Sequence, residues 1–302
     1  MAVNLKILVT GASGMLGSSL VRRLSQVYAD SDLFSIMRKS PLPTGVLSVS
    51  FDEVRQMKFD IVLHLASPAS PLNHIDPILV SQANIELTHL VCQAVKPGGR
   101  LIYFSTSEVY GPNAGLGVTE NQVTSPQMSG PRSFYPLTKL MGESISKSRN
   151  DIGAIIFRVF HTFGPGLRAD DGRSFADFLW GAAQHGQVTM HSDGSAIRSF
   201  LHVEDFCSAV LTTLQNQHAS GIYNLGSRRP MSLLEFAEIV SEVTRARVVR
   251  KTGGTTSSPI LHLSPDTSRL EGLGWKQELS ERDAISDTWK WILSTRHGPG
   301  QP

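Results

Sequence analysis

The sequence predicts an α/β protein: a doubly wound parallel sheet followed by a smaller mixed α/β lobe. Three observations carry this. Short β-branched or apolar runs alternate with amphipathic stretches through the first half of the chain, the pattern of βαβ units. A glycine-rich turn, Thr10-Gly11-Ala12-Ser13-Gly14-Met15-Leu16-Gly17, follows the first run and opens the first amphipathic stretch. The chain has 302 residues, 40% of them hydrophobic, enough for one large domain or two that share a core.

The strand candidates are residues 5–10, 32–37, 46–51, 60–66, 100–105 and 154–160, each of a length that suits a buried strand. Between the first two, Met15, Leu16, Leu20, Val21, Leu24 and Val27 recur at helical spacing, with Arg22, Arg23 and Gln26 on the other side. That is a helix packed on a sheet. Further helical periodicity covers 78–95, 135–147, 175–183, 203–214, 233–243 and 282–293. After residue 170 helices are expected to outnumber strands, which are short and fall near 188–190, 222–225 and 248–250. The expected division is a sheet domain over residues 1–165, to which later segments are free to return, and a lobe over 166–302.

Charge and cysteine content narrow the function. There are 28 Lys+Arg against 26 Asp+Glu, a formal net charge of +2 with no run of five like charges. Neither nucleic acid nor an acidic membrane surface is an expected partner. No apolar run approaches the ~20 residues of a membrane span. Cys92 and Cys207 lie far apart, outside any C-x-x-C pair, so neither a disulfide framework nor a metal site is expected. The chain enters its first strand without a signal-like segment, and a cytoplasmic location is the expectation.

In the glycine turn, Gly11 permits the sharp bend, Gly14 lets backbone N–H groups approach a pyrophosphate and Gly17 allows close packing of helix on sheet, with Ser13, Met15 and Leu16 completing the loop. A Rossmann-type fold binding NAD or NADP is therefore expected. The second strand ends in Ser35-Ile36-Met37-Arg38-Lys39-Ser40, without the acid that would accept from a ribose 2′-hydroxyl. Arg38 suits a 2′-phosphate and tilts the expectation toward NADP. Asp52, after the third strand, is a candidate acceptor for the adenine amino group.

Downstream stand Ser105-Thr106-Ser107-Glu108-Val109-Tyr110-Gly111 and, on a helix, Tyr135-Pro136-Leu137-Thr138-Lys139. Tyr135 and Lys139 are one helical turn apart and share a face. An ammonium beside a phenol favours the phenolate and makes it a usable general base for a sugar hydroxyl, which Thr106 would also hydrogen-bond from the strand end.

These blocks resemble the extended short-chain dehydrogenase/reductases of the nucleotide-sugar epimerase, dehydratase and decarboxylase group. The resemblance also takes in Asn84, Arg158-Val159-Phe160, Phe163-Gly164-Pro165-Gly166, Arg198-Ser199-Phe200-Leu201-His202-Val203-Glu204-Asp205 and Tyr223-Asn224-Leu225-Gly226. His64-Leu65-Ala66-Ser67-Pro68-Ala69-Ser70-Pro71 and the Thr106 block are similar above all to UDP-glucuronate decarboxylases. The resemblance implies oxidation of a nucleotide sugar at C4, with a decarboxylase-like or epimerase outcome.

By position, it assigns Thr106 and Tyr135 to the C4 hydroxyl, Lys139 to the ribose and to tuning Tyr135, and Ser107 and Glu108 to the C5/C6 side. Leu65, Ala66 and Ser67 would face the dinucleotide, and Arg198, His161 and His191 the nucleotide sugar. His161 and the Met190-His191 pair depart from the decarboxylase pattern. Ser107 stands where 4,6-dehydratases carry an acid. The alternatives are a 4-keto-sugar reductase consuming NADPH and a non-catalytic dinucleotide-binding regulator. A homodimer built on helices 78–95 and 135–147 is a further implication of the resemblance.

Overall fold

The structure is a computed structural model that describes residues 4–36, 41–67, 77–112, 114–129, 133–251 and 262–296. Arg38 and residues 68–71 lie outside the described residues. The chain opens with β1 (Lys6–Thr10), α1 (Met15–Val27), β2 (Asp32–Ile36), β3 (Val46–Val49), α2 (Phe51–Gln56), β4 (Phe59–His64), α3 (Pro77–Ala94) and β5 (Val95–Thr106). A 3₁₀ turn (Ser107–Tyr110) and α4 (Phe134–Lys147) follow.

The seven-stranded sheet runs Gly221–Leu225, Gly153–Val159, β5, β4, β1, β2, β3, and every pairing is parallel. Strand order reverses at β1, which pairs with β2 on one side and β4 on the other. A crevice opens beyond the carboxyl ends of strands at such a reversal. Side chains on β1 alternate between two cores: Ile7 and Val9 pack with Leu20 and Leu24 of α1 and with Phe206 and Val210, while Leu8 packs with Val54, Val91 and Val62. Period-2 alternation under helices on both faces makes the sheet doubly wound.

The strand expected over 46–51 ends at Val49, because Ser50 caps α2: its hydroxyl accepts from the Glu53 N–H while the Glu53 carboxylate accepts from the Ser50 N–H at 2.7 Å. Reciprocal capping stabilises a helix start, so the local chemistry stops the strand.

Residues past 165 do return to the sheet, through Gly221–Leu225. The expectation that helices outnumber strands after residue 170 is corrected: the described residues there form six short strands and five helices. Ile197–His202 is central to a three-stranded sheet with His161–Phe163 and Pro230–Ser232, and Gln187–Met190 pairs with Arg247–Arg250. Strands of three to six residues, several ending at glycines or prolines, leave little periodicity to read. A separate core of Phe163, Phe175, Phe200 and Phe236 holds this part together. Both cysteines are buried free thiols. Among the described residues no helix is long and apolar enough to cross a membrane, and no group of His, Cys, Asp and Glu could hold a metal ion.

Candidate active site

The turn after β1 is built by necessity at Gly11. Its φ is +76°, and a Cβ there would stand 2.9 Å from the Ala66 nitrogen on the neighbouring strand end. A left-handed residue in van der Waals contact with another backbone must be glycine. Gly14 is different: a Cβ there would meet nothing nearer than the Gly11 oxygen at 3.4 Å. No packing against the protein requires glycine at this position, and the backbone there is open to approach. Gly14 is also the N-cap of α1, makes no side-chain capping bond, and is followed by a first turn without acidic residues. Unfilled N–H groups at a helix start, with an open approach, fit a dinucleotide pyrophosphate.

A cleft of about 270 Å³ runs from this turn to the ends of β5 and Gly153–Val159, lined by Gly11, Gly14, Met15, Leu16, Gly17, Leu65 and Ser67 on the glycine side. On the other side it is lined by Thr106, Ser107, Glu108, Tyr135, Lys139 and His161. The fold thus brings together the glycine turn, all five expected catalytic residues and one expected substrate residue. Ser13 is exposed at the turn, and Ala66 meets the site through its backbone, beside Gly11.

Three expected residues sit elsewhere. Asp52 is exposed in the first turn of α2 and ion-paired with Arg55 at 2.6 Å. Arg198 is buried, donates to the Ile197 carbonyl at 2.8 Å, and feels the Glu108 carboxylate, which opposes the downward pull of burial on its guanidinium. His191 is exposed past the strand Gln187–Met190, near Asp177, whose carboxyl burial raises and His191 pulls down.

Thr106 ends β5 and caps the 3₁₀ turn, its Oγ1 accepting from the Glu108 N–H at 3.3 Å, so its own proton is still available to a ligand. Lys139 is buried to 4% exposure and its Nζ donates to the Phe104 carbonyl at 2.8 Å. Among the described residues no carboxylate forms an ion pair with it, and burial pulls its pKa down from 10.5 to about 7. Its ammonium stands 6.0 Å from the centre of the Tyr135 ring.

Sequence reasoning missed the layer behind these groups. The Ala66 N–H donates to Thr10 Oγ1 at 3.2 Å, and Thr10 Oγ1 lies 2.7 Å from His64 Nδ1. His64 Nε2 lies 3.0 Å from Thr88 Oγ1, whose proton is given to the Asn84 carbonyl at 2.6 Å. With the Thr88 proton so used, His64 must carry its proton on Nε2 and accept at Nδ1 from Thr10. Burial and the neighbouring Lys139 charge hold it neutral, with a pKa of about 3. Asn84 extends the chain to α4, accepting from Ser67 Oγ and donating to Thr138 Oγ1, each at 3.0 Å. The threonines sit at ordinary helix and strand positions, so only the assembled sheet displays this order. Arg173, which also lines the cleft with its guanidinium on Asp171 at 2.8 Å, was likewise without a sequence signal.

Comparison with known proteins bears on this geometry. UDP-glucuronic acid decarboxylase 1 of Arabidopsis thaliana is 29% identical over 317 residues, covering 98% of this chain and 72% of its own length. The Xenopus tropicalis protein of the same description is 30% identical over 253 residues, covering 79% of this chain and 60% of its own. Among solved structures, UDP-N-acetylglucosamine 4-epimerase from Methanobrevibacter ruminantium M1 superposes with a TM-score of 0.81 at 22% identity, over 97% of this chain and 99% of that one. UDP-glucuronic acid 4-epimerase from Bacillus cereus, in complex with UDP-glucuronic acid and NAD, gives a TM-score of 0.79 at 22% identity, over 96% of this chain and all of its own. At those identities the likeness is one of fold. Residues 7–226, which hold the whole seven-stranded sheet except the first residue of β1 and all of the cleft, match the model of the NAD dependent epimerase/dehydratase family, and the chain belongs to that family of enzymes.

Proposed function

We propose that this enzyme oxidises a nucleotide-activated sugar at C4 and that decarboxylation or epimerisation follows before the sugar is reduced again. The observation that carries this reading is the convergence of Thr106, Ser107, Glu108, Tyr135 and Lys139 on the same cleft as the glycine turn. When bound, the dinucleotide supplies the hydride acceptor. Gly14, Met15 and the N–H groups that begin α1 would hold its pyrophosphate, and Arg173 adds a cation on the far wall.

Tyr135 takes the proton of the C4 hydroxyl, Thr106 orients that hydroxyl, and the Lys139 ammonium favours the phenolate. Glu108 and Ser107 face the C5/C6 side. A 4-keto group makes a carboxylate at C5 labile, so decarboxylation asks the protein only for positioning and reprotonation. A 4,6-elimination needs an acid for the departing C6 hydroxyl, and Ser107 does not supply one. The relatives described as UDP-glucuronic acid decarboxylases support UDP-glucuronate as first substrate.

The test is incubation with UDP-glucuronate and either NAD or NADP, following CO₂ and the product sugar. Wild-type turnover with a loss of about 10²–10⁴-fold in Tyr135→Phe is the expected result. No CO₂ and no epimer with either cofactor overturns it. Stoichiometric consumption of NADPH would select the 4-keto-sugar reductase, and absent turnover with a biological output unchanged in Tyr135→Phe the non-catalytic regulator.

Arg38 supports NADP over NAD, and Arg38→Asp is expected to reverse the ratio of their dissociation constants. Exposed Ile78 on α3 with Phe134 and Met141 on α4 supports a homodimer through these packed helices. Light scattering of the wild type, expected at twice the 32.9 kDa chain mass, checks it.

A further inference from the structure

Lys139 poses a physical problem. A buried ammonium without a carboxylate is costly, yet Lys139 is held at the cleft wall by one carbonyl, that of Phe104. Of the two tyrosine rings facing its charge the nearer is that of Tyr103 on β5, whose centre is 5.2 Å from Nζ. Tyr103 is itself buried to 1% exposure, with its hydroxyl 3.3 Å from the Lys139 carbonyl oxygen. Its place under α4 exists because residue 142 is glycine: a Cβ there would stand 2.0 Å from the Tyr103 hydroxyl oxygen and 2.4 Å from Cζ. The ring also meets His64, with centroids 5.7 Å apart.

We propose that Tyr103 is a positioning residue, the π face of its ring holding the Lys139 ammonium against the Phe104 carbonyl and within reach of Tyr135. The functional consequence rests on the reading of Tyr135 and Lys139 as the proton-handling pair. The groups facing Lys139 leave this role to the Tyr103 ring. From β4 comes His64, which is neutral; from α4 comes Tyr135, whose ring is farther away at 6.0 Å. Glu143, the nearest acid to Tyr103 along α4, is taken by Arg158 in a 2.9 Å ion pair. An aromatic face attracts a desolvated cation without a formal charge. It thereby favours the protonated form of Lys139 and leaves that charge available to the Tyr135 phenolate, where a carboxylate would compete for it.

The experiment replaces Tyr103 by Phe, by Leu, and by pentafluorophenylalanine, which keeps the shape of the ring and removes its negative face. Two quantities are read: the titration of the Lys139 side chain by NMR in protein labelled at lysine Cε, and the pH profile of kcat. Tyr103→Phe is expected to leave both unchanged. The pentafluoro and Leu replacements are expected to lower the Lys139 midpoint by about half to one pH unit, roughly three- to tenfold in proton affinity. They also move the acid limb of kcat to higher pH with KM unchanged, because a phenol deprived of its cation ionises later. A midpoint unmoved by fluorination, or one that falls equally in Tyr103→Phe, overturns the proposal. The pentafluoro variant decides even where Leu prevents folding. A midpoint that follows the ring while Tyr135→Phe retains full activity would refute the proposed function and leave the lysine–ring pairing standing.

Discussion

A Cβ on Gly17 would stand 2.1 Å from the carbonyl oxygen of Gly11, and 2.8 Å from the Ala12 Cα. Helix α1 therefore lies against its own preceding turn more closely than any side chain allows. The two glycines of this segment thus differ: packing requires Gly17, whereas at Gly14 only the proposed dinucleotide calls for a bare backbone. Gly17→Ala is expected to cost about 1–3 kcal/mol or more, as overpacking against rigid backbone does, and to lower Tm. Gly14→Ala is expected to keep Tm and to weaken dinucleotide binding by at least tenfold. Differential scanning calorimetry and calorimetric titration with NAD and NADP separate the two.

Glu143 and Arg158 form a buried pair behind the site in which every strong group is used. Arg158 donates from Nε and Nη2 to the two Glu143 oxygens at 3.0 and 2.9 Å, and Ser105 Oγ donates to the same carboxylate at 2.6 Å. Arg158 also lies over the Tyr110 ring at 4.9 Å. The pair ties α4, with its Tyr135 and Lys139, to the strands beneath. Removing one member strands a buried charge, so Glu143→Ala is expected to cost about 3–5 kcal/mol. Replacing both by hydrophobic residues of similar volume should recover much of that. Urea denaturation of the two single variants and the double variant measures it.

The residues that carried the fold in the sequence were those with a local signature. Helix α1 matches its apolar spacing, and the Gly11 turn falls between strand and helix as expected. The Ser50-to-Glu53 capping pattern was also present, but an apolar Phe51 extended the strand expectation past it. His161–Phe163 and Ile197–His202 escaped because each strand is completed by a partner distant in the chain, which no local window contains. The same reason hid the layer behind the site: Thr10, His64 and Thr88 come from β1, β4 and α3 and acquire meaning only where the fold brings His64 within 3.0 Å of both threonines. Arg158, legible only as part of a family block, proved to be the partner of Glu143. Asp205, quoted only within a family block, accepts from the Glu278 and Leu279 N–H groups at 2.9 and 3.3 Å, while His202 caps the helix.

Lys139 makes stability depend on pH in a direction opposite to that of a paired lysine. Its pKa is about 7 in the folded protein against 10.5 for the ordinary side chain. Between these values the unfolded chain holds a proton that the folded chain has lost, so stability rises with pH across that window. Below pH 7 the burial penalty is present in full. Lys139→Met is therefore expected to raise Tm relative to the wild type at pH 6, by several degrees, and the advantage is expected to shrink as pH approaches 10. Thermal melts of the ligand-free pair at matched pH check the sign.

The orientation of His64 gives the last prediction. Its Nε2–H has Thr88 Oγ1 as partner at 3.0 Å, in a site where His64 is 1% exposed. Thr88→Val preserves the shape of the side chain and deletes that acceptor, leaving a buried N–H unsatisfied at a cost of about 1–3 kcal/mol. Thr88→Ser keeps the oxygen and is expected to cost much less. The loss should propagate along the directed chain, because His64 freed at Nε2 no longer has one forced tautomer, and Thr10 then no longer holds the Ala66 N–H in a fixed place beside Gly11. Long-range ¹H–¹⁵N spectra of the wild type should show Nε2 protonated and Nδ1 bare, with no titration of His64 down to about pH 4, consistent with its pKa of about 3. In Thr88→Val the same spectra should show mixed tautomers, and dinucleotide affinity should fall although Thr88 does not line the cleft. An unchanged tautomer with unchanged affinity would mean that the hydroxyl contributes only packing.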